Sequence, residues 1–429
     1  MRIHEILLNR FRGIHSLSLE LDDRLNVFVG ENGAGKSTVL DAAAILLSWL
    51  VNRVKSARGS GRPITEPDIH NAEHSASLSV TLNEDDRAMS WRVAKARKGH
   101  RDGTAVSALT GASEAAQRLS AAISEGNGRA NLPLFAYYPV NRAVLDIPLR
   151  IRARHRFDLL SAYDESLIGG ANFRTFFEWF REREDLENEA RRDYQSPLLV
   201  ESIDASSGFP DPQLEAVRNA LTRLMPEFKN LTVRRNPLRM EVEKEGKRLL
   251  VNQLSDGEMC LMAMAGDIAR RMAIANPSRD NPLGGDGVIL IDEIDLHLHP
   301  LWQRMVIPRF TEVFPNIQFL ISTHSPHVIT HVRPNNLFLL RMGSDGLTSA
   351  RASESYGKTA ERVLEDLMGL ETTRPEEVKV ALKRIYGQID EGDLDGARKS
   401  IAELGHEIGD DPELIKANVL IRRKELIGK

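Results

Sequence analysis

The segment GENGAGKST, at residues 30–38, fits the pattern G-x-x-x-x-G-K-[ST]. It also stands in the context that this pattern requires, after an apolar strand and at the start of a helix. Gly33 and Gly35 let the backbone curl so that its N–H groups face a β-phosphate, and Lys36 reaches the β- and γ-phosphate oxygens. The segment therefore predicts a P-loop that binds the triphosphate of ATP.

The neighbouring side chains of this loop complete the predicted nucleotide site. Ser37 offers a hydroxyl to Mg²⁺, and Thr38 is placed to contact the α-phosphate. Asn32, within the same loop, is counted among the nucleotide-binding residues. ATP and Mg²⁺ are the predicted cofactors.

Two acids and a histidine follow later apolar strands. In VILIDE, Asp292 suits the Mg²⁺ shell of a P-loop enzyme, and Glu293 is the candidate base that polarises the attacking water. His324, in STHSP, follows the next strand and is a candidate hydrogen-bond donor to the γ-phosphate. Taken alone, the two acids could end any strand and the histidine could be a turn residue. Their occurrence in the same chain as a P-loop favours a role in ATP hydrolysis.

The segment QLSDGEM, at residues 253–259, predicts a second site for an anion. Ser255 followed by Glu258 forms a capping box that starts a helix. The start of a helix presents spare N–H groups and a positive dipole end, so Ser255 and Gly257 are candidate phosphate-binding residues. The pattern does not say whose phosphate lies there.

The elements that must position these residues alternate between strands and helices. GVILIDE and IQFLISTH are short, continuously apolar runs, as buried parallel strands require, and they flank a helix that begins near Pro300. Residues 143–233 are charged and helical and are predicted to be an insertion. From 346 to the end we expect helices only.

Composition narrows the class of protein. The 429 residues carry a net charge of −4, which gives no overall attraction to nucleic acid. The single cysteine, Cys260, excludes an intrachain disulfide. The N-terminus does not have the pattern of a signal peptide, and the longest apolar run is about half of a membrane span. We expect a soluble cytoplasmic protein without a membrane partner.

Together the motifs resemble the ATP-binding-cassette (ABC) ATPase head of SMC, Rad50 and RecF proteins. The resemblance runs from NRFRGI through GENGAGKST, LSDGE and ILIDEIDLHLHP to STHSP. It implies that two heads pack head to tail, so that the helix at Ser255 faces the partner's phosphate. It also implies that Arg12 packs near the base or ribose and that Asp295 lies at the dimer seam.

The sequence departs from this family at three points. Asp256 stands where glycine is common and Glu258 where glutamine is common, and both bring negative charge toward a triphosphate. Acids in the first turn are equally explained by ordinary helix capping. The glutamine that links the two lobes is missing, and Asn141 in YYPVNR is the best polar candidate for its place.

A closer resemblance is to the PtuA-type ATPases of Septu and of retron defence systems. It includes FFEWFREREDLEN and SYGKTAERVLEDLMG as well as the head. It implies an anti-phage role and an effector nuclease of the HNH type, with a retron reverse transcriptase and its non-coding RNA as further candidate partners.

The predicted architecture is therefore an α/β P-loop ABC-ATPase head with an inserted helical subdomain and a helical C-terminal appendage. Residues 1–142 form the first part of the head, 143–233 the insertion, 234–345 the second part, and 346–429 a helical interaction region. A homodimer or a higher homo-oligomer is expected.

Weaker patterns have simpler explanations. Asp393 and Asp395 form a D-x-D, as in Toprim nucleases, but they follow an amphipathic helix, so a helical hairpin with Gly392 as the stop is predicted. His297 and His299 have no ligand cluster near them in the sequence, which disfavours zinc.

The basic run Arg150–Arg156 places alternate arginines on one face of a strand, where they could bind a phosphate backbone. The alternative, which we favour, is pairing with acids of the insertion or simple solvation; the acids in question are Glu182, Glu184 and Glu187. This run also keeps open the main rival function, a RecF- or Rad50-like DNA-repair ATPase that binds DNA directly. A transporter subunit is disfavoured by Arg12 in place of a stacking aromatic residue and by the long tail.

Overall fold

The computed structural model describes residues 1–71, 73–85, 87–100, 106–127, 129–140, 157–169, 173–194, 209–343 and 346–427. The strands in these ranges are β1 (Arg2–Phe11), β2 (Ile14–Glu20), β3 (Leu25–Val29), β4 (Ser75–Glu84), β5 (Arg87–Ala96), β6 (Leu134–Tyr138), β7 (Phe228–Arg235), β8 (Leu238–Lys244), β9 (Lys247–Leu250), β10 (Gly287–Ile291), β11 (Ile317–Ser322), β12 (Leu337–Gly343) and β13 (Gly346–Arg351). The α-helices are α1 (Lys36–Lys55), α2 (Thr110–Glu125), α3 (Phe173–Tyr194), α4 (Pro212–Leu224), α5 (Asp256–Ala275), α6 (Pro300–Val313), α7 (Pro326–Ile329), α8 (Ala360–Asp366), α9 (Glu376–Glu391), α10 (Leu394–Ile408) and α11 (Pro412–Ile427).

The largest sheet has the strand order β13-β12-β3-β11-β10-β6. Strands β12, β3, β11, β10 and β6 run parallel, and β13 is antiparallel to β12. Every residue of β10 and β11 is buried, as continuously apolar strands of a covered sheet should be. Parallel strands end at one edge, so the segments that follow β3, β10 and β11 meet there. The predicted α/β fold is confirmed.

The described residues also form two smaller antiparallel sheets. One has the order β2-β1-β4-β5, and the other has the order β7-β8-β9 and leads directly into the α5 segment. In the first sheet apolar side chains alternate with polar ones and nearly all the buried residues are apolar, which gives it one core face and one solvent face.

Helix α1 follows the P-loop and is apolar nearly all round. Among the helices of the described ranges, α1 alone is long and apolar enough to cross a membrane. Of its most apolar 18 residues, 72% are buried inside the protein. Burial of this kind is what a core helix beneath the sheet requires.

The chain divides into two compact units, Met1–Thr359 and Ala360–Lys429. The expectation of a purely helical region from 346 is wrong, because β13 pairs with β12 and extends the main sheet. The helical unit therefore begins at Ala360. The described residues between 157 and 233 lie within the first unit.

Helix α3 docks through aromatic residues that fall at helical spacing. Four of them are fully buried: Phe176, Phe177, Trp179 and Phe180. Gly266 of α5 allows this approach, since a Cβ there would lie 2.8 Å from the Phe176 ring. These rings serve the core and are closed to base stacking.

Two acids of α3, Glu184 and Glu187, have partners outside the Arg150–Arg156 run. Glu184 pairs with Arg235 at 2.5 Å, and Glu187 accepts hydrogen bonds from Arg218 at 2.8 and 3.0 Å. The run itself lies outside the described residues.

The D-x-D segment is a helical hairpin, as predicted. Gly392 ends α9 in the left-handed conformation, at φ 87°, and Asp393 caps α10 through a hydrogen bond from the Gly396 N–H. Asp395 lies in the first turn of α10, where an acid suits the helix dipole.

Candidate nucleotide site

The P-loop connects β3 to α1 at the carboxyl edge of the main sheet. Gly33 and Gly35 have φ values of 82° and 80°, a region that disfavours residues with a Cβ. At Gly30 a Cβ would lie 2.3 Å from the carbonyl oxygen of Leu340, so the loop passes directly against β12. The glycines at these positions are dictated by the path of the chain.

The Lys36 side chain is folded back into this loop. Its Nζ donates to the carbonyl oxygens of Gly30 and Glu31, each at 2.9 Å, and the residue is only 5% exposed. Burial lowers the pKa of Lys36, and the carboxylates of Asp292, Glu293 and Asp295 oppose that effect. The charges of the acids that follow β10 therefore act on this amine.

The other predicted residues of the loop differ in exposure. Asn32, Gly33 and Ser37 are exposed, and Thr38 is half-buried. The exposed hydroxyl of Ser37 and the carboxylate of Asp292 are hard oxygen ligands of the kind that Mg²⁺ takes. The residues present thus fit a magnesium nucleotide.

Asp292 and Glu293 occupy the turn directly after β10. Asp292 is 2% exposed, and its N–H donates to the Tyr138 carbonyl oxygen at 2.9 Å. Glu293 is half-buried and has a left-handed backbone, with φ 46°. The hydroxyl of Ser322 bonds both residues: it donates to Asp292 Oδ1 and accepts from the Glu293 N–H at 2.8 Å.

His324 follows β11 in the same region. Partial burial and, next, the charge of Lys36 lower the pKa of His324, against the opposing charges of the three nearby acids. A depressed pKa favours the neutral imidazole near pH 7, which can donate one hydrogen bond and accept another. The structure thus brings Lys36, Asp292, Glu293 and His324 into one electrostatic neighbourhood.

Arg12 is held by acids that the sequence analysis did not single out. Arg12 lies in the turn after β1. Its guanidinium donates to Asp68 Oδ1 at 2.9 Å and to a carboxylate oxygen of Asp41 in α1. Arg62 donates to the other oxygen of Asp41 at 2.7 Å. Asp41 is only 8% exposed. Arg12 is therefore anchored to the first turns of the helix that starts at the P-loop.

The QLSDGEM segment forms the predicted capping box. Ser255 caps α5, with its Oγ accepting from the Glu258 N–H, while Glu258 accepts from the Ser255 N–H at 2.9 Å. Lys244 of β8 pairs with the same carboxylate at 2.5 Å. Partial burial acts to raise the pKa of Glu258, but the hydrogen bonds from Lys244 and Ser255 outweigh this effect and lower it. The charge of Glu258 is thus matched locally, while Ser255 and Asp256 remain exposed.

Gly257 joins this helix to the loop that follows Glu293. A Cβ on Gly257 would lie 2.2 Å from the carbonyl oxygen of His297. Further along, Thr323 donates to Asp295, and Gln303 bridges the Leu298 carbonyl and the Ser325 hydroxyl, at 2.8 Å each. The loop of residues 295–299 is therefore tied both to the helix start at Ser255 and to the segment that carries His324.

Gly257→Ala is expected to destabilise the protein by about 1–3 kcal/mol, because the new methyl group must displace the His297 backbone. Alanine is a better helix former than glycine, so helix propensity alone would stabilise the variant. A loss of stability would therefore show the effect of the clash. Thermal unfolding checks this, with Gly387→Ala in α9 as the control, since nothing lies within 4 Å of a Cβ there. Equal stability of the two variants would show that the loop yields easily.

Residues 25–330 match a protein-family model described as "AAA domain, putative AbiEii toxin, Type IV TA system". The chain belongs to this family. It is similar to the retron Ec83 probable ATPase of Escherichia coli, at 31% identity over 99% of this chain and 87% of that protein. It is similar to the Septu protein PtuA of Bacillus thuringiensis, at 25% identity over 91% of this chain and 89% of that protein. A solved SMC head bound to the C-terminal winged-helix domain of ScpA has a TM-score of 0.47 and 15% identity, over 82% of this chain and 98% of that chain.

As a member of this ATPase family the chain is a nucleotide-binding protein, and the predicted relation to retron ATPases and Septu PtuA is confirmed. Its matched region contains the P-loop, the capping helix, the two acids and His324. Asn141, the candidate for the lobe-linking position, lies outside the described residues.

A buried polar network in this ATPase escaped the sequence analysis. The Tyr138 hydroxyl donates to Asp267 of α5 at 2.9 Å, and Arg270 and Arg271 pair with the same carboxylate at 2.7 Å. Although burial acts to raise it, Arg271 and Arg270 hold the pKa of Asp267 below its usual value. The charged residues within the apolar helix AMAGDIARRMAIA are the signal that could have revealed it. The network links the end of β6 to α5.

The two histidines of the 295–299 loop have backbone roles in this ATPase. His299 caps α6, its Nδ1 accepting from the Leu301 N–H at 3.3 Å, and the His297 carbonyl packs against Gly257. Within the described ranges no three His, Cys, Asp or Glu residues are placed to hold a metal ion.

Proposed function

We propose that this ATPase is the ATP-binding and ATP-hydrolysing subunit of an anti-phage defence complex. It acts as a nucleotide-dependent dimer switch that regulates a separate effector, an HNH-type nuclease. The likeness to the retron and Septu proteins, which extends over more than nine-tenths of the chain, supports the defence role. A retron reverse transcriptase and its RNA are further partners in this proposal, and the cytoplasm is its location.

In the proposed reaction the chain's residues bind and orient ATP. The loop N–H groups and Lys36 hold the phosphates, and Ser37 and Asp292 would hold Mg²⁺, which supplies charge neutralisation of the phosphate oxygens when bound. Glu293 orients the attacking water and accepts its proton. His324 contacts the γ-phosphate, and Thr38 contacts the α-phosphate.

The observation that carries the dimer switch is the exposed start of α5. Ser255 and Asp256 are exposed although a capping box fixes the helix start, and Gly257 packs against the His297 carbonyl. A rigid helix N-terminus open to solvent suits a phosphate brought by another molecule. In the proposed dimer that phosphate is the γ-phosphate held by the partner's P-loop.

The C-terminal unit supplies the proposed contact with the effector. One face of α11 lies in the core of this unit through Leu414, Ala417 and Ile421. Ile415 and Val419, one turn apart on another face, are 61% and 58% exposed. A helix that is apolar on a second face has area for a partner.

Copurification of the full-length chain from its native host, with mass identification of partners, tests this proposal. The expected result is a nuclease subunit that remains bound to the wild type. The double variant Ile415→Arg plus Val419→Arg should no longer bind this nuclease subunit, because the contact would bury two unpaired charges. The control Val106→Arg, at an exposed apolar residue of the first unit, should retain the partner. ATP hydrolysis should persist in both variants.

The opposite outcome is equally definite. A chain that copurifies with no effector but binds DNA tightly, with affinity that falls steeply as salt rises, would support the repair ATPase instead.

A further inference from the structure

Ser322 is the last residue of β11 and is fully buried. Its side chain and its backbone both contact the turn that follows β10. The hydroxyl donates to Asp292 Oδ1 and accepts from the Glu293 N–H at 2.8 Å, and its carbonyl oxygen accepts from the Ile294 N–H at 3.1 Å. One residue thus touches three successive residues, of which two are the proposed catalytic acids.

The direction of these bonds follows from the chemistry of the groups. An ionised carboxylate only accepts and a backbone N–H only donates, so the Ser322 proton must go to Asp292 and its lone pair to Glu293. The bond to Asp292 fixes the rotation of a carboxylate that is 2% exposed. A fixed carboxylate is what a metal ligand needs, since outer partners orient the ligands that touch the ion.

The bond to Glu293 has a second consequence. Glu293 has φ 46°, which is uncommon for a residue with a Cβ and must be held by its surroundings. The Ser322 hydroxyl accepts the N–H of Glu293 itself, and the Ser322 carbonyl oxygen accepts the N–H of the next residue, Ile294. This contact therefore helps to hold the left-handed turn that carries the Glu293 side chain.

We propose that Ser322 is a positioning residue for ATP hydrolysis, whose hydroxyl orients Asp292 and holds the turn that presents Glu293. The proposal rests on the roles of these two acids given above. A hydroxyl that merely satisfies buried polar groups would affect stability alone. A positioning hydroxyl also sets metal affinity and the rate of the chemical step.

The test compares full-length Ser322→Ala with Ser355→Ala. Ser355 is 1% exposed and donates to the Val332 carbonyl oxygen at 2.6 Å, so the control removes a buried hydroxyl that touches neither acid. The measurements are kcat and KM for ATP, thermal unfolding, and Mn²⁺ affinity by electron paramagnetic resonance with a non-hydrolysable ATP analogue. Ser322→Ala is expected to lower kcat and Mn²⁺ affinity by about 10- to 100-fold, the range for residues behind a metal ligand. Ser355→Ala should change neither.

Two further variants guard against misfolding. Ser322→Thr keeps the hydroxyl and should recover part of both losses, whereas Ser322→Cys keeps the size with a weaker donor and should resemble the alanine variant. Normal kcat and Mn²⁺ affinity in Ser322→Ala would overturn the proposal, and so would equal losses in Ser355→Ala. A wild type that does not hydrolyse ATP would refute the proposed function, while the Mn²⁺ comparison would still decide the role of Ser322.

Discussion

Glu293→Gln is expected to leave ATP binding intact and to lower turnover by about 10²- to 10⁴-fold, the contribution of a general base. Glutamine has nearly the same shape, and the bond from the Glu293 backbone N–H to Ser322 does not depend on the side chain. Magnesium would be held by Asp292 and Ser37, so the substitution removes the general base without removing a metal ligand. Since ATP then persists in the site, the proposed closed dimer should accumulate.

Three measurements check this expectation: steady-state hydrolysis, binding of a fluorescent ATP analogue, and light scattering with and without ATP. Glu312→Gln is a suitable control, since Glu312 is an exposed acid of α6 whose partner is Arg223 on the surface. Near-normal turnover of Glu293→Gln would remove Glu293 from the mechanism. Loss of nucleotide binding would instead mean that Glu293 shapes the site in the ground state.

Lys36→Ala and Ser255→Arg are each expected to abolish hydrolysis, and a mixture of the two is expected to restore it in part. Lys36→Ala cannot hold the triphosphate, and Ser255→Arg blocks the N–H groups at the start of α5 and removes its cap. In a head-to-tail dimer of one subunit of each kind, one composite site carries both lesions. The other pairs an intact P-loop with an intact capping helix, so ATP-dependent closure should return there.

The measurement is ATP hydrolysis and light scattering after subunit exchange. Loss of the cap alone costs about 1 kcal/mol, so Ser255→Arg should remain folded. Asn252→Arg places the same charge on an exposed neighbour outside the cap and should leave the wild-type rate unchanged. A wild type that is monomeric at saturating ATP and fully active would show that the helix at Ser255 serves something other than a neighbour's phosphate.

The sequence determined those parts of the molecule that depend on local chemistry. The positive φ of Gly33 and Gly35, the cap at Ser255 and the hairpin stop at Gly392 follow from bonds between residues a few positions apart. The apolar runs around Asp292 and His324 predicted buried parallel strands, and these strands lie side by side at the centre of the main sheet. The carboxyl ends of these parallel strands share one edge of the sheet, and the segments that carry Asp292 and His324 begin there.

The tertiary structure alone decided which distant polar groups pair. Arg12 is bound by Asp41 and Asp68, and two acids of α3, Glu187 and Glu184, pair with Arg218 and Arg235. Strand β13 joined the main sheet where only helices were expected, because its partner β12 offered an unpaired edge. For these ion pairs the energy comes from contacts between segments far apart in the chain, which no local spacing records, whereas β13 reaches the main sheet through a short hairpin with β12, which itself pairs with β3.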